Sequence, residues 1–187
     1  YQEVSPGLEV NDLGFQRDAD RRVLGAQVAY LQRRPGPLVR SWQLSASVDQ
    51  EWNFGGDGLA RGVSVYGYTQ LHNYWTVYGT VGKGFVALDD RLTRGGPLAQ
   101  DPGDAYLDLN VTTDDRKPVF LWGNTYLWRD GGGSWAATGD AAVSIKPAPG
   151  IKLRGGPYGE VDQYVAQPGT RGSHTLASSS GCAMASA

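Results

Sequence analysis

The chain has 187 residues, 17 Lys and Arg against 19 Asp and Glu, and a formal net charge of −2. That length suits one domain with enough chain to bury a core or close a small barrel. Basic residues scattered among as many acids exclude the clustered positive surface that nucleic acid requires. With only Cys182 there is neither an internal disulfide framework nor a cysteine-based zinc site. No run approaches 18 apolar residues, so no transmembrane helix is expected. The chain opens at Tyr1 without an apolar leader, which reads as a processed chain or a fragment.

In chain order, residues 1–22 read as a lead-in, 23–164 as the strands of a β-barrel and 165–187 as a patternless tail. Leu24, Ala26, Val28 and Tyr30 share one face of a first strand. Residues 41–54 form the clearest segment: Trp42, Leu44, Ala46, Val48, Gln50, Trp52 and Phe54, six of seven apolar, alternate with Ser41, Gln43, Ser45, Ser47, Asp49, Glu51 and Asn53. A period of two with one dry and one wet face specifies a strand and is incompatible with a helix. The pattern repeats at Val63, Val65, Gly67, Thr69 and Leu71, at Trp75, Val77, Gly79 and Val81, and at Leu107, Leu109 and Val111. It continues at Val119, Leu121, Gly123, Thr125 and Leu127, then at Trp135, Ala137, Gly139, Ala141, Val143 and Ile145. An eighth strand starts at Ile151, Leu153 and Gly155.

The connections alternate in kind. Arg33-Arg34-Pro35-Gly36-Pro37, His72-Asn73, Asp114-Asp115-Arg116-Lys117-Pro118 and Lys146-Pro147-Ala148-Pro149-Gly150 are short. Gly55-Gly56-Asp57-Gly58, the long stretch 85–103 and Asp130-Gly131-Gly132-Gly133 are Gly-rich or long. Alternate connections of a meander lie at opposite ends, so one end is tight and the other elaborated, as in outer-membrane barrels. The strands are long enough to span a bilayer at a tilt, and Trp42, Trp52, Trp75 and Trp135 sit where interfacial girdles belong. The expected fold is therefore all-β: an antiparallel up-and-down meander of about eight long strands, either a small closed outer-membrane-type β-barrel or a segment of a larger one. A soluble up-and-down barrel is the alternative.

Several stretches resemble a bacterial family that joins an N-terminal domain similar to carbohydrate-binding family nine to a large C-terminal β-barrel region of unknown function. They are Ser5-Pro6-Gly7-Leu8-Glu9-Val10-Asn11-Asp12-Leu13-Gly14-Phe15, Glu51-Trp52-Asn53-Phe54 and Asn73-Tyr74-Trp75. More specific are Asp89-Asp90-Arg91-Leu92-Thr93-Arg94-Gly95-Gly96-Pro97-Leu98 and Arg116-Lys117-Pro118-Val119. The resemblance implies an outer-membrane location in the bacterial cell envelope and supplies no catalytic residues. The chain departs from the pattern in carrying no counterpart of the carbohydrate-binding domain and in stopping about halfway through the barrel region.

Site chemistry is sparse. Asp89, Asp90, Asp101 and Asp104 bracket the long loop, and hard cations take several oxygen ligands from flexible loops, so Ca²⁺ is the candidate cofactor. Asp49 and Glu51 lie two apart on one wet face and could act as general acid and base, with His72 as a third catalytic candidate. There is no Gly-x-Ser-x-Gly elbow for a triad. Two function classes follow: a barrel with a polar lumen, in a pore or surface-binding role, or a metal-assisted hydrolase acting on a small ester, lactone or glycoside. The expected partners are a lipid bilayer or detergent, a small-molecule or glycan ligand, and further copies pairing through open strand edges.

Overall fold

The computed structural model describes residues 1–7, 19–89 and 98–165. The fold is an antiparallel meander. Its long strands are β2 (Arg21–Gln32), β3 (Val39–Trp52), β4 (Gly58–Leu71), β5 (Thr76–Gly84), β8 (Asp104–Thr112), β9 (Val119–Asp130) and β10 (Trp135–Ala148). The short β1 (Gln2–Val4) pairs with the start of β2, with Gln2 opposite Val23. A separate hairpin, β6 (Ala87–Asp89) with β7 (Ala99–Asp101), sits inside the long connection. The eighth strand comes in two pieces, β11 (Ile151–Gly155) and β12 (Tyr158–Gln163), both antiparallel to β10. The expected meander of eight long strands is thus present, each pairing with its neighbour in sequence.

Three local features differ from the sequence expectation. The lead-in is not wholly unpaired, because β1 extends the sheet edge. The stretch 146–150 is not all turn: β10 continues through Pro147, where the register shifts between Ile145 and Ala148. A proline lacks the ladder N–H and is accommodated at such a bulge. The last strand breaks at Gly156 and Pro157, where Ala141 N donates to Pro157 O at 3.1 Å. A Cβ on Gly156 would lie 1.8 Å from Ala141 O, so only glycine admits this approach. The patternless tail lies outside the described residues from position 166 onward.

Among the described residues the meander does not close: β1 and β2 form one margin of the sheet, β11 and β12 the other. Its curvature is read from burial. Every buried strand residue (Arg21, Ser45, Gly82, Asn110, Phe120, Ala142, Ser144) belongs to one face, and this inner face is the polar one. Ser144 is 1% exposed, and Phe120 and Ala142 are the buried hydrophobics among the described residues. On the other face Leu24, Val28, Leu44, Val48, Val65, Val81, Leu107, Leu121 and Val143 are all exposed, Val81 at 54%. A soluble sheet buries its apolar face. This one buries its wet face and presents the dry one.

Candidate functional site

Two-residue periodicity and the strand register assemble the inner face into rows across the sheet. One row reads Gln43, Tyr68, Tyr78, Asn110, Asn124, Asp140 and Tyr158, each directly opposite the next. The next carries Ser45, Tyr66, Thr80, Asp108, Tyr126, Thr138 and Glu160. Directly opposed side chains on one face stand within about 5 Å, so these rows are contact ladders. Asp108 Oδ1 accepts from Asn110 Nδ2 at 2.5 Å and from Asn124 Nδ2 at 3.0 Å, and Asn124 Nδ2 also donates to Asn110 Oδ1 at 3.1 Å. The Ser47 and Ser64 hydroxyls share a hydrogen bond of 2.7 Å. Trp128 Nε1 donates to Asp104 Oδ2 at 2.9 Å, and the Trp128 ring lies 6.3 Å from that of Tyr164. Among the described residues no buried side-chain polar atom lacks a partner. The result is a wall of phenols, carboxamides and carboxylates held in place by one another.

The two ends of this wall differ in charge. At the tight-turn end stand Arg33, Arg34, Arg40, Arg116, Lys117, Lys146, Lys152 and Arg154, against the acids Asp114 and Asp115. The elaborated end gathers Asp20, Asp49, Glu51, Asp57, Asp89, Asp101, Asp104, Asp130, Glu160 and Asp162, against Arg21 on the inner face and Arg22, Arg61, Lys83 and Arg129 on the outer one. At the basic end the Tyr74 ring has the Arg40 guanidinium 4.1 Å and the Arg116 guanidinium 3.0 Å from its centroid. Arg116 grips Asp114 through two bonds of 2.8 Å. Those bonds hold the Asp114 carboxyl at about 2 against the opposing pull of burial, and they raise Arg116 in turn. Lys146 and Lys152 flank the Phe120 ring at 5.1 and 5.0 Å. Arg116, Lys146 and Lys152, with Pro118 and Pro147, border an open recess of about 590 Å³.

The catalytic candidates are not brought together. Asp49 and Glu51 do share the inner face, Asp49 opposite Gly62 and Glu51 opposite Ala60. Glu51, however, is engaged by Arg21 at 2.8 Å. His72 belongs to the opposite end, where its Nε2 meets Gly36 O at 2.7 Å and ties two turns together. Val39, opposite Leu71, is ten residues from Asp49 along β3, a separation on the order of 30 Å. A proton shared by His72 and those carboxylates has no path.

The three described loop aspartates, Asp89, Asp101 and Asp104, form no cage. Asp90 lies outside the described residues. Asp101 Oδ1 accepts Gly103 N at 2.8 Å, a local turn bond, and Asp104 is held by the Trp128 indole. Asp49, Asp101 and Asp104 border one recess of about 240 Å³. Even so, no group of three or more His, Cys, Asp or Glu among the described residues is arranged to hold a metal ion. The Asp108, Asn110 and Asn124 cluster was not among the sequence candidates. Its signal was available in the two-residue spacing of Asp108 and Asn110 on a wet face.

Comparison of the chain with family models, curated proteins and solved structures returned no match.

Proposed function

We propose that this chain is wall of an outer-membrane-type β-barrel, with its exposed apolar face turned to lipid and its polar, aromatic face lining a lumen. The observation that carries the reading is the inversion of the sheet: wet residues inside the curve, Leu and Val outside it. In water each half-exposed Leu or Val forgoes on the order of 1 kcal/mol of burial, a cost a hydrocarbon solvent removes. Aromatic residues support the same reading. On the outer face Tyr30, Trp42, Trp52 and Trp135 lie toward strand ends, while Leu, Val, Ala and Gly fill the middle, as interfacial girdles do. Two open apolar hollows of about 430 and 350 Å³ lie against that middle band, one bordered by Leu44, Val65, Gly79 and Leu107, the other by Val111, Leu121, Ala141 and Val143. The family resemblance points the same way and supports a location in the bacterial outer membrane. The ligand class that suits the lumen is small and polar, a glycan or similar molecule that can stack on Tyr and hydrogen-bond to Asn and Asp.

The test is size and solubility with and without detergent, followed by reconstitution into neutral phosphatidylcholine vesicles containing brominated acyl chains. Insertion predicts a discrete species only in detergent and quenching of tryptophan fluorescence by the bromines. A monodisperse protein in plain buffer that ignores the vesicles would overturn the reading.

A further inference from the structure

Apart from Arg40 at the bulge of β3, charge on the outer face is confined to the elaborated end. There the ionic residues on the outward side of the long strands are Arg22, Arg61, Lys83 and Arg129, all basic. The register sets them on three neighbouring rows: Lys83 and Arg129 both oppose Ala105, Arg61 lies one outward pair further toward the elaborated end, opposite Gln50, and Arg22 one more, opposite Trp52. They form a rim at the elaborated end, above the apolar band. The many acids of that end are on the inner face or in connections, and the one outward acid is Glu3 of β1, which pairs with Arg22 at 3.1 Å. Arg61, Lys83 and Arg129 are exposed, and among the described residues none has an acidic partner. At the tight-turn end Arg40 stacks on Tyr74 of the neighbouring turn, and the other strand cations turn inward, Lys146 and Lys152 onto Phe120 and Arg154 onto Trp122.

We infer that this outward basic rim is a docking line for the phosphates of anionic lipid headgroups, and that the elaborated end therefore lies in the more anionic leaflet. The inference rests on the lipid-facing reading above. Charge complementarity carries it: a belt of cations at the elaborated edge of a hydrocarbon-matched band meets the layer where headgroup phosphates lie. Each basic residue near an anionic surface strengthens association by about fivefold.

The experiment uses the full chain with phosphatidylcholine vesicles, the same vesicles containing phosphatidylglycerol, and inorganic phosphate alone. The wild type should bind anionic vesicles at least tenfold more tightly than neutral ones, with a gain that salt erases. Lys83→Gln with Arg129→Gln should lose most of that gain and still insert into neutral vesicles. Lys152→Gln with Arg154→Gln, on the inner face, should keep it. Equal binding to both vesicles, retention of the gain by the outer pair or its loss in the inner pair overturns the inference. So does a response to inorganic phosphate alone that matches the vesicle gain, which would make the rim a general anion site. Anionic binding through the rim without acyl-chain quenching would instead sink the membrane-spanning reading while leaving the rim intact.

Discussion

At the scale of single residues, the basic turn offers the sharpest tests. Asp114 has its carboxyl held at about 2 by Arg116, below the ordinary aspartate value near 3.9. A folded-state value below the unfolded one means the pair's stabilisation is complete above about pH 4 and fades as pH falls through 2. Asp114→Asn should remove that slope, and denaturation in micelles between pH 5 and pH 2 reads the difference; parallel curves for the two proteins would show the pair is idle. Tyr74 occupies the left-handed region with φ 64° while stacked between two guanidinium groups. The strain of roughly 1 kcal/mol is met by two contacts of about 0.5–1 kcal/mol each. Tyr74→Gly trades one for the other and should be close to neutral. Tyr74→Val keeps the strain, loses the stacking and should cost about 2 kcal/mol in the same titration. On the inner face, a Cβ on Gly82 would meet the Tyr106 ring at 2.4 Å, so that ring covers a glycine much as aromatic side chains do on other sheets.

Elements show which part of the architecture a sequence can announce. The long strands were legible because alternation of Ser and Asp with Val and Leu is a property of each strand alone. What escaped depends on partners. Three residues of β1 become a strand only because β2 offers an edge, and β6 and β7 only because each faces the other. Pro147 looked like punctuation and sits inside β10, since a bulge there relieves the ladder of its missing donor. The break at Gly156 is a matter of backbone approach that no periodicity reports. Gly156→Ala should therefore free Tyr158–Gln163 while sparing the rest, seen as amide exchange that accelerates in β12 but not in β8 or β9. On the outer face, Leu107→Arg places a charge in the apolar band. It should weaken insertion by about 2–4 kcal/mol if that residue sits near the bilayer midplane, measured as the folding free energy in vesicles. The same substitution at Tyr106, one step along the strand but on the inner face, should leave insertion much closer to wild type.

For the whole molecule, closure and function were the least legible. Periodicity states which face a residue takes, not whether the first strand meets the last, and the described margins remain unpaired. An exposed margin offers a row of backbone donors and acceptors to any extended chain. Amides along β2 and β12 should consequently exchange far faster than those of the central β5 and β8, and cross-linking in detergent should trap dimers or larger species through these margins. The candidate site was half legible. Asp49 and Glu51 lie on the wet face, as alternation required, yet hairpin counting already put His72 in a turn at the far end. The loop aspartates carried no periodic information, and two of them, Asp101 and Asp104, serve a turn and an indole.

The excess of Arg and Lys at one end of the inner face and of Asp and Glu at the other makes the sheet a macroscopic dipole aligned with the strands. If such walls enclose a conducting pore, the two mouths concentrate opposite ions, and ionic current should depend on the sign of the applied voltage. Single-channel recordings would then show rectification, with a sense that reports which mouth faces the positive electrode.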